Sequence, residues 1–388
     1  MTVSQITLIS PIWLAVMLTC IAIYWLLSLR IRREFLIVLT ACFLLYADYR
    51  AFILLTTFIL GTWLLLERKI QHAVAIALIL PTVALGYFKL GMSGDALATL
   101  NNLVVPLGMS YFTFRILHYV IERSRNNLPA HDFNDYLAYL FFLPTLLVGP
   151  IHRFPQFVED RHSSSWSADK ISYGLERILI GYFKVTVIGN YLLSNLTSDW
   201  VADVHAQSET LGYYLEAVRG SLNLYVQFSG FSDVAIGFSL MLGYRIMENF
   251  RFPFLQKNIV EFWRCWHISL TSWSREYIFM TVLSLSRNPY LATLSSLVVI
   301  GIWHEVSLRY VAWGLYHGIG ILICMQWGKF KQKAKLPTPK SKPMVIMTDI
   351  LKILMTANFF FIGYIITNQS SLLESVRIIA RVLMSWLF

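Results

Sequence analysis

Two Trp-His pairs, Trp266-His267 and Trp303-His304, lie in strongly apolar parts of the chain. An imidazole at the depth of a lipid bilayer is costly unless it faces a cavity or a partner group. Loss of water favours its neutral form, and a neutral imidazole can take the proton from an attacking hydroxyl or thiol. The two pairs therefore predict a lined pocket in which a proton is moved. For each histidine taken alone, structural hydrogen bonding is the alternative.

The segment that carries the first pair runs Glu261-Phe-Trp-Arg-Cys-Trp-His267. On a helix, residues three and four apart share a face. This spacing predicts that Trp263 and Arg264 lie beside His267, and that Glu261 pairs with Arg264.

The second pair ends the apolar run Leu291–Trp303, which is expected to deliver His304 to the mouth or the floor of a cavity. The two histidines are candidate metal ligands, but no neighbouring carboxylate-histidine pattern completes a site, and no metal is predicted. The nucleophile elbow G-x-S-x-G does not occur, which argues against a serine hydrolase.

The composition indicates a membrane protein. The chain has 388 residues, of which 56% are hydrophobic and 14% charged, against about 25% charged residues in a soluble domain. Apolar runs of roughly 20 residues, enough to cross a bilayer as a helix, recur along its length. We predict an all-α polytopic protein with about 11–13 transmembrane helices. The predicted spans are 8–29, 34–47, 51–66, 72–89, 102–121, 136–151, 174–194, 211–229, 231–245, 291–303, 308–328 and 347–367.

Several stretches are not simple spans. Phe141–Phe157 contains three prolines, each of which removes a backbone donor. Phe228–Gly237 places Asp233 among small residues, and Asn258–Met280 is amphipathic and rich in tryptophan. We expect irregular backbone at the first two and re-entrant or interfacial helices at the third. The segment 375–388 is either interfacial or a last short span.

The net charge of +10 does not indicate a nucleic-acid partner, because the basic residues lie in short loops between apolar segments. Lysine and arginine favour the cytoplasmic side, which predicts an extracytoplasmic N-terminus. One loop is especially basic, with Lys329, Lys331, Lys333, Lys335, Lys340 and Lys342 and the prolines Pro337 and Pro339. Contact with anionic lipid is the first interpretation of this loop, and docking of an acidic cytoplasmic partner is the second.

A series of ordered motifs resembles the membrane-bound O-acyltransferase family, in particular its bacterial branch of teichoic-acid D-alanyl transfer proteins and alginate and peptidoglycan O-acetylases. The motifs cover most of the chain. They are Pro106–Phe114, Leu146–Phe154, Phe228–Asp233, Glu248–Phe250, Glu261–Trp263, Trp266–Leu270, Trp273, Arg275–Tyr277, Gly301–His304 and Trp313–Gly318.

The resemblance implies a single acyltransferase domain over residues 1–388, built as a ring of helices around a central tunnel. Within it we expect peripheral spans over about 1–100, a motif-bearing core over about 101–328 and C-terminal spans over about 345–388. His304 matches the family's catalytic histidine, and His267 its second histidine. The residues expected to line or support the tunnel are Trp303, Trp266, Trp263, Arg264, Glu261, Asn249, Arg275 and Asp233.

The resemblance also implies the substrates. The donor is expected to be a thioester on the cytoplasmic side, carried either by an acidic acyl carrier protein with a phosphopantetheine arm or by coenzyme A as acetyl-CoA. No permanently bound cofactor is expected. The acceptor is expected to be an envelope polysaccharide, peptidoglycan or a teichoic-acid-like polymer, with an extracytoplasmic acyltransferase as partner. The location would be the bacterial cytoplasmic (inner) membrane. The segment Arg275–Met280 looks more like the D-alanyl type.

Two positions depart from the family pattern. Cys265 stands where the family usually has arginine, and Glu305 follows His304 in place of a small residue. A carboxylate beside His304 favours the imidazolium and also crowds an acceptor. The rival functions are a transporter or channel without chemistry and a non-catalytic scaffold for an extracytoplasmic acyltransferase.

Overall fold

The computed structural model of this protein describes residues 9–68, 70–90, 104–335 and 341–385, and these form helices without strands. Four of the helices are long and apolar enough to cross a bilayer, namely Leu29–Glu67, Ala73–Leu90, Leu308–Lys333 and Lys342–Asn368. Two shorter apolar helices are Pro11–Leu26 and Pro289–His304. The predicted all-α membrane architecture is confirmed. The ring around a tunnel stays a prediction.

The chain divides into two compact units that interleave in sequence. The first comprises residues 1–185 and 229–248, and the second residues 186–228 and 249–388. The described helices that lie wholly in the first unit are α1 (Pro11–Leu26), α2 (Leu29–Glu67), α3 (Ala73–Leu90), α4 (Met109–Ser124), α5 (Phe133–Leu140), α6 (Leu143–Leu146), α7 (Phe154–Ser163) and α8 (Ala168–Phe183).

The second unit holds both Trp-His pairs. Its described helices are α9 (Thr197–Gln207), α11 (Ile259–Cys265), α12 (Ile268–Ser274), α13 (Met280–Ser286), α14 (Pro289–His304), α15 (Leu308–Lys333), α16 (Lys342–Asn368) and α17 (Leu372–Ser385). Helix α10 (Glu209–Met241) contributes residues to both units, as does the π-helical stretch Lys184–Leu196 that continues α8.

The break between the predicted spans 34–47 and 51–66 coincides with a kink in one long helix. The two spans are joined in α2, which is kinked at Asp48 (φ −158°, ψ 87°). The Asp48 carboxylate accepts hydrogen bonds from the backbone nitrogens of Arg50 and Ala51 at 3.1 and 3.0 Å. It therefore restarts the helix as an internal N-cap.

The spans 211–229 and 231–245 are joined in α10, so the irregular backbone predicted for Phe228–Gly237 is wrong. The small residues serve close packing. A Cβ added at Gly230 would lie 2.8 Å from the carbonyl oxygen of Gly181 in α8. Glycine here admits a neighbouring helix and does not break its own.

The predicted span 136–151 is broken into α5, the single turn α6 and extended backbone before α7, which agrees with the irregularity expected for Phe141–Phe157. Proline opens both α6 and α7, as its missing donor favours. The tryptophan-rich segment 258–280 is helical with a break at Trp266 and His267, and α12 continues through the π-helical residues Arg275–Phe279 into α13. Its re-entrant or interfacial placement stays a prediction. The C-terminal segment forms α17 up to Ser385.

Four of the lysines that were predicted to lie in one loop lie in helices. Lys329, Lys331 and Lys333 lie in the last turns of α15, and Lys342 begins α16. Lysine is a good helix former and is favoured near a helix C-terminus. Lys340, Pro337 and Pro339 lie outside the described residues.

Helices α14 and α15 pack antiparallel at very short distance, joined by three residues. A Cβ added at Gly314 would lie 2.6 Å from the Leu297 carbonyl oxygen, and one added at Gly301 would lie 2.2 Å from the carbonyl oxygen of Tyr310. Glycine at both positions therefore permits the contact that fixes the end of α14, where His304 lies.

Candidate functional site

His267 lies between two short helices and not within one. Helix α11 ends at Cys265, Trp266 is extended, and His267 takes a left-handed conformation (φ 45°, ψ 52°) directly before α12. Two backbone hydrogen bonds hold this corner, from Arg251 N to Cys265 O and from Ile268 N to Asn249 O. The prediction that Trp263 and Arg264 share a helical face with His267 is therefore wrong.

The imidazole of His267 is buried and oriented by Asn249. Its Nδ1 lies 3.1 Å from Asn249 Oδ1. The same oxygen accepts from the hydroxyl and the backbone nitrogen of Ser269, at 2.9 and 3.4 Å, which assigns it as an acceptor. Nδ1 is then the protonated nitrogen, and Nε2 carries the lone pair. Nε2 is buried without a hydrogen-bond partner in the part of the chain that the structure describes.

His304 ends α14 and is exposed. Its ring lies among three aromatic rings. The centroid distances are 4.6 Å to Trp303, 5.8 Å to Trp313 and 5.9 Å to Tyr310, and the Tyr310 ring lies nearly parallel to the imidazole at 27°. The imidazole therefore packs on one side and is open on another.

Trp303 brings the two histidines together. Its ring lies 4.6 Å from His304 and 6.0 Å from His267. One indole thus separates a buried imidazole from an exposed one. The two Trp-His pairs therefore lie next to each other within the second unit.

The two other predicted tryptophans differ in position. Trp263 contacts Trp313 at 5.7 Å and so belongs to the ring cluster that reaches His304. Trp266 instead packs against Phe262 and Phe360, at 5.4 and 4.8 Å. It therefore belongs to an apolar cluster of aromatic rings with these two residues.

The model of the family described as MBOAT, membrane-bound O-acyltransferase, matches residues 14–367. The chain belongs to the membrane-bound O-acyltransferase family. Its curated relatives include a probable alginate O-acetylase of Pseudomonas aeruginosa, 32% identical over 78% of this chain and 62% of the relative. A teichoic acid D-alanyltransferase of Bacillus subtilis is 30% identical over 69% of each chain. A peptidoglycan O-acetyltransferase of Helicobacter pylori is 27% identical over 72% of this chain and 56% of the relative.

The chain spans about half to two thirds of the length of the alginate O-acetylases that it matches. Family membership therefore rests on the shared region, and the matched residues 14–367 include His267 and His304.

The remaining predicted support residues are only partly brought to the two Trp-His pairs. Asn249 contacts His267 directly. Arg264 and Arg275 are exposed, and Glu261 is half-buried. The predicted pairing is wrong, because no ion pair joins Glu261 to Arg264 among the described residues.

Asp233 belongs to the first unit. Its buried carboxylate lies 2.5 Å from a guanidinium nitrogen of Arg177 and 2.6 Å from the ammonium of Lys184. Arg177 also pairs with Glu248 at 2.8 Å. Asp233 is therefore the centre of an ion-pair network that joins α8, α10 and the start of the π-helical stretch.

Three residues near the two Trp-His pairs were not predicted from the sequence. Tyr310 lies beside His304, and Arg309 pairs with Glu305 at 2.9 Å. His317 is fully buried, with its ring 4.8 Å from that of Trp313. The four-residue spacing of Trp313 and His317 on a helix was the signal for the last of these.

Proposed function

We propose that the protein transfers an acyl group, acetyl or D-alanyl, from a thioester donor to a hydroxyl of a cell-envelope polymer or of a partner protein. The observation that carries this proposal is the contact of both histidine rings with Trp303, in a chain of the membrane-bound O-acyltransferase family. An exposed imidazole beside a buried one suits a reaction whose acceptor arrives from the aqueous side.

In the proposed reaction His304 is the general base. It takes the proton of the acceptor hydroxyl, whose oxygen attacks the thioester carbonyl. The carbon–sulfur bond breaks, and the leaving thiolate takes up a proton. His267, with its Nδ1 held by Asn249, is proposed to position the thioester. Its buried Nε2 is acceptor-only and suits a donor group of the substrate.

The ends of α15 support opposite approaches for donor and acceptor. The helix begins at Leu308, four residues after His304, and ends among Lys329, Lys331 and Lys333. Its 26 residues span about 39 Å. Because basic residues favour the cytoplasmic side, we propose that an anionic donor, a carrier protein or acetyl-CoA, arrives at the lysine end.

For the same reason we propose that His304 lies toward the extracytoplasmic side of the bacterial inner membrane. We propose an extracytoplasmic N-terminus and, on that side, a polymer acceptor or an acyltransferase partner. The names of the relatives support alginate, teichoic acid and peptidoglycan as the chemical range of acceptors.

The test is acyl transfer in membranes that carry the full chain, with labelled acetyl-CoA and labelled D-alanyl carrier protein as separate donors. We expect His304→Gln to abolish label transfer at normal protein level. His205→Gln is the matched control, because His205 lies in the same unit and contacts Tyr213 instead of the site. Undiminished transfer by His304→Gln would refute the assignment of the base, and transport of intact donor without acyl loss would favour a transporter.

A further inference from the structure

The corner that carries His304 is short and is tied at one point. Helix α14 ends at His304, Glu305 is extended (φ −154°, ψ 138°), and α15 begins at Leu308. Two backbone hydrogen bonds shape the turn, from Glu305 N to Gly301 O at 3.2 Å and from Ser307 N to Glu305 O at 3.0 Å. Backbone hydrogen bonds thus fix the conformation of the corner, while its side chains make the contacts with neighbouring groups.

A single guanidinium joins three helix ends at this corner. Arg309, in the first turn of α15, donates from Nη2 to the Glu305 carboxylate at 2.9 Å. Its Nη1 donates to the backbone oxygen of Gln369, the residue that caps α16. The end of α14, the start of α15 and the end of α16 are therefore held by one side chain.

The pair also sets the charge beside His304. A cation in the first turn of a helix is disfavoured by the helix dipole, so Arg309 needs an anionic partner. Glu305 supplies it, and the two side chains are only 25% and 17% exposed. The Glu305 carboxylate is thus paired with Arg309 and does not act on His304 as a lone charge.

We propose that Glu305 and Arg309 are positioning residues that hold the His304 corner and keep its local charge balanced. This inference rests on the proposed role of His304 as the base. Loss of Glu305 would leave a lone positive charge beside the imidazole, and loss of Arg309 would leave a lone negative charge there.

The two single variants therefore have opposite signatures. Glu305→Gln leaves the cation, which disfavours the imidazolium, so the acid limb of the pH–rate profile should move to lower pH. Arg309→Gln leaves the anion, and the acid limb should move to higher pH. Each shift is roughly half a pH unit for a partly screened charge. The double variant should return the limb to its original position.

Other groups also face His304 and are the same in every variant. The titratable ones are Tyr310 on α15 and His267, which lies across Trp303. Both residues are unchanged in all variants. A difference in pH–rate profile between two variants therefore reports the charges at Glu305 and Arg309. We also expect kcat to fall roughly tenfold or more from misplacement of the imidazole, with the KM for the thioester unchanged.

The experiment measures kcat and KM for the labelled thioester donor against pH in the purified full chain, together with protein level and Tm. Glu209→Gln is the control, since it breaks an exposed pair with Arg381 in the same unit and should leave the profile in place. Glu305→Asp and Arg309→Lys retain the charges and serve if a neutral variant accumulates poorly. Their profiles should not move.

The outcomes separate the two proposals. No transfer by the unaltered chain would refute the proposed function itself, and full transfer by His304→Gln would refute the assignment of His304 as the base. An active chain that needs His304, but whose two neutral variants shift the limb in the same direction or leave it unmoved, would overturn the positioning role. A displaced limb in the charge-retaining variants would overturn it as well.

Discussion

The Nδ1 of His267 lies 3.1 Å from the Oδ1 of Asn249, a residue 18 positions earlier in the chain. Asn249 also holds the backbone of the corner, because its carbonyl oxygen accepts from Ile268 N at 2.9 Å. One asparagine thus fixes both the ring orientation and the tautomer of the buried histidine. Such a contact is a positioning device of the kind that supports a reacting group without touching the substrate.

Removal of the asparagine amide tests this relationship. We expect Asn249→Ala to lower acyl transfer about 100-fold, because the buried imidazole loses the acceptor that selects its tautomer. Ser269→Ala is the matched variant, since it removes a different donor to the same oxygen and leaves His267 in place. It should cost only a few-fold. Equal losses in the two variants would contradict the special role of the His267 contact.

The α14–α15 contact predicts a strong position dependence for glycine. Gly314→Ala would bring a Cβ to 2.6 Å from the Leu297 carbonyl oxygen, and overpacking of this kind costs about 1–3 kcal/mol. Gly328 lies in the same helix with nothing within 4 Å of its added Cβ among the described residues. Gly328→Ala should therefore stabilise the helix by up to about 1 kcal/mol.

Thermal unfolding in detergent measures both changes, and a common direction of the two shifts in Tm would refute the packing argument. Since α14 carries His304, Gly314→Ala should also reduce transfer. The loss of transfer should exceed the loss of folded protein.

The Asp233 network predicts a stability effect. Its carboxylate is nine-tenths buried and pairs with Arg177 and Lys184. Loss of one partner from a buried ion pair costs about 3–5 kcal/mol, so Asp233→Ala should sharply reduce folded protein. Glu209→Ala, which breaks an exposed pair, should cost less than about 1 kcal/mol. Folded yield and Tm measure this, and a Tm for Asp233→Ala equal to that of the unaltered chain would disprove it.

The lysine end of α15 predicts a salt-sensitive donor step. Reversal of Lys329, Lys331 and Lys333 to glutamate should raise the KM for an anionic thioester donor at low ionic strength. The effect should vanish as salt shortens the Debye length below about 8 Å. Replacement of the same lysines by arginine keeps the charge and serves as the control. If the KM is insensitive to both sets of changes, these lysines act in topology alone.

The sequence revealed the two Trp-His pairs and their apolar context because residue type and hydrophobicity are local properties; their catalytic role stays a prediction. The apolar run that ends at His304 became α14 with His304 as its last residue. The aromatic neighbour in each Trp-His pair was visible as well. The helical character of the tryptophan-rich segment 258–280 was also predicted, because an amphipathic pattern is a local property of the sequence.

Local pattern failed where a distant contact overrides it. The backbone hydrogen bonds around Asn249 hold His267 in a left-handed turn, against the helical spacing that placed Trp263 beside it. Small residues in α10 looked like a break but are a packing surface for α8. Neither contact has a signature within a window of neighbouring residues.

The amino-acid order by itself determined that this is a helical membrane protein with two histidines in apolar, aromatic sequence context, because hydrophobicity and residue chemistry are local properties. Tertiary structure alone decided that Trp303 contacts both imidazoles and that Asn249 orients one of them. It alone decided that Arg309 joins Glu305 to the end of α16. These contacts link residues far apart in the chain, and only folding brings such groups within the few ångströms at which hydrogen bonds and ring contacts act.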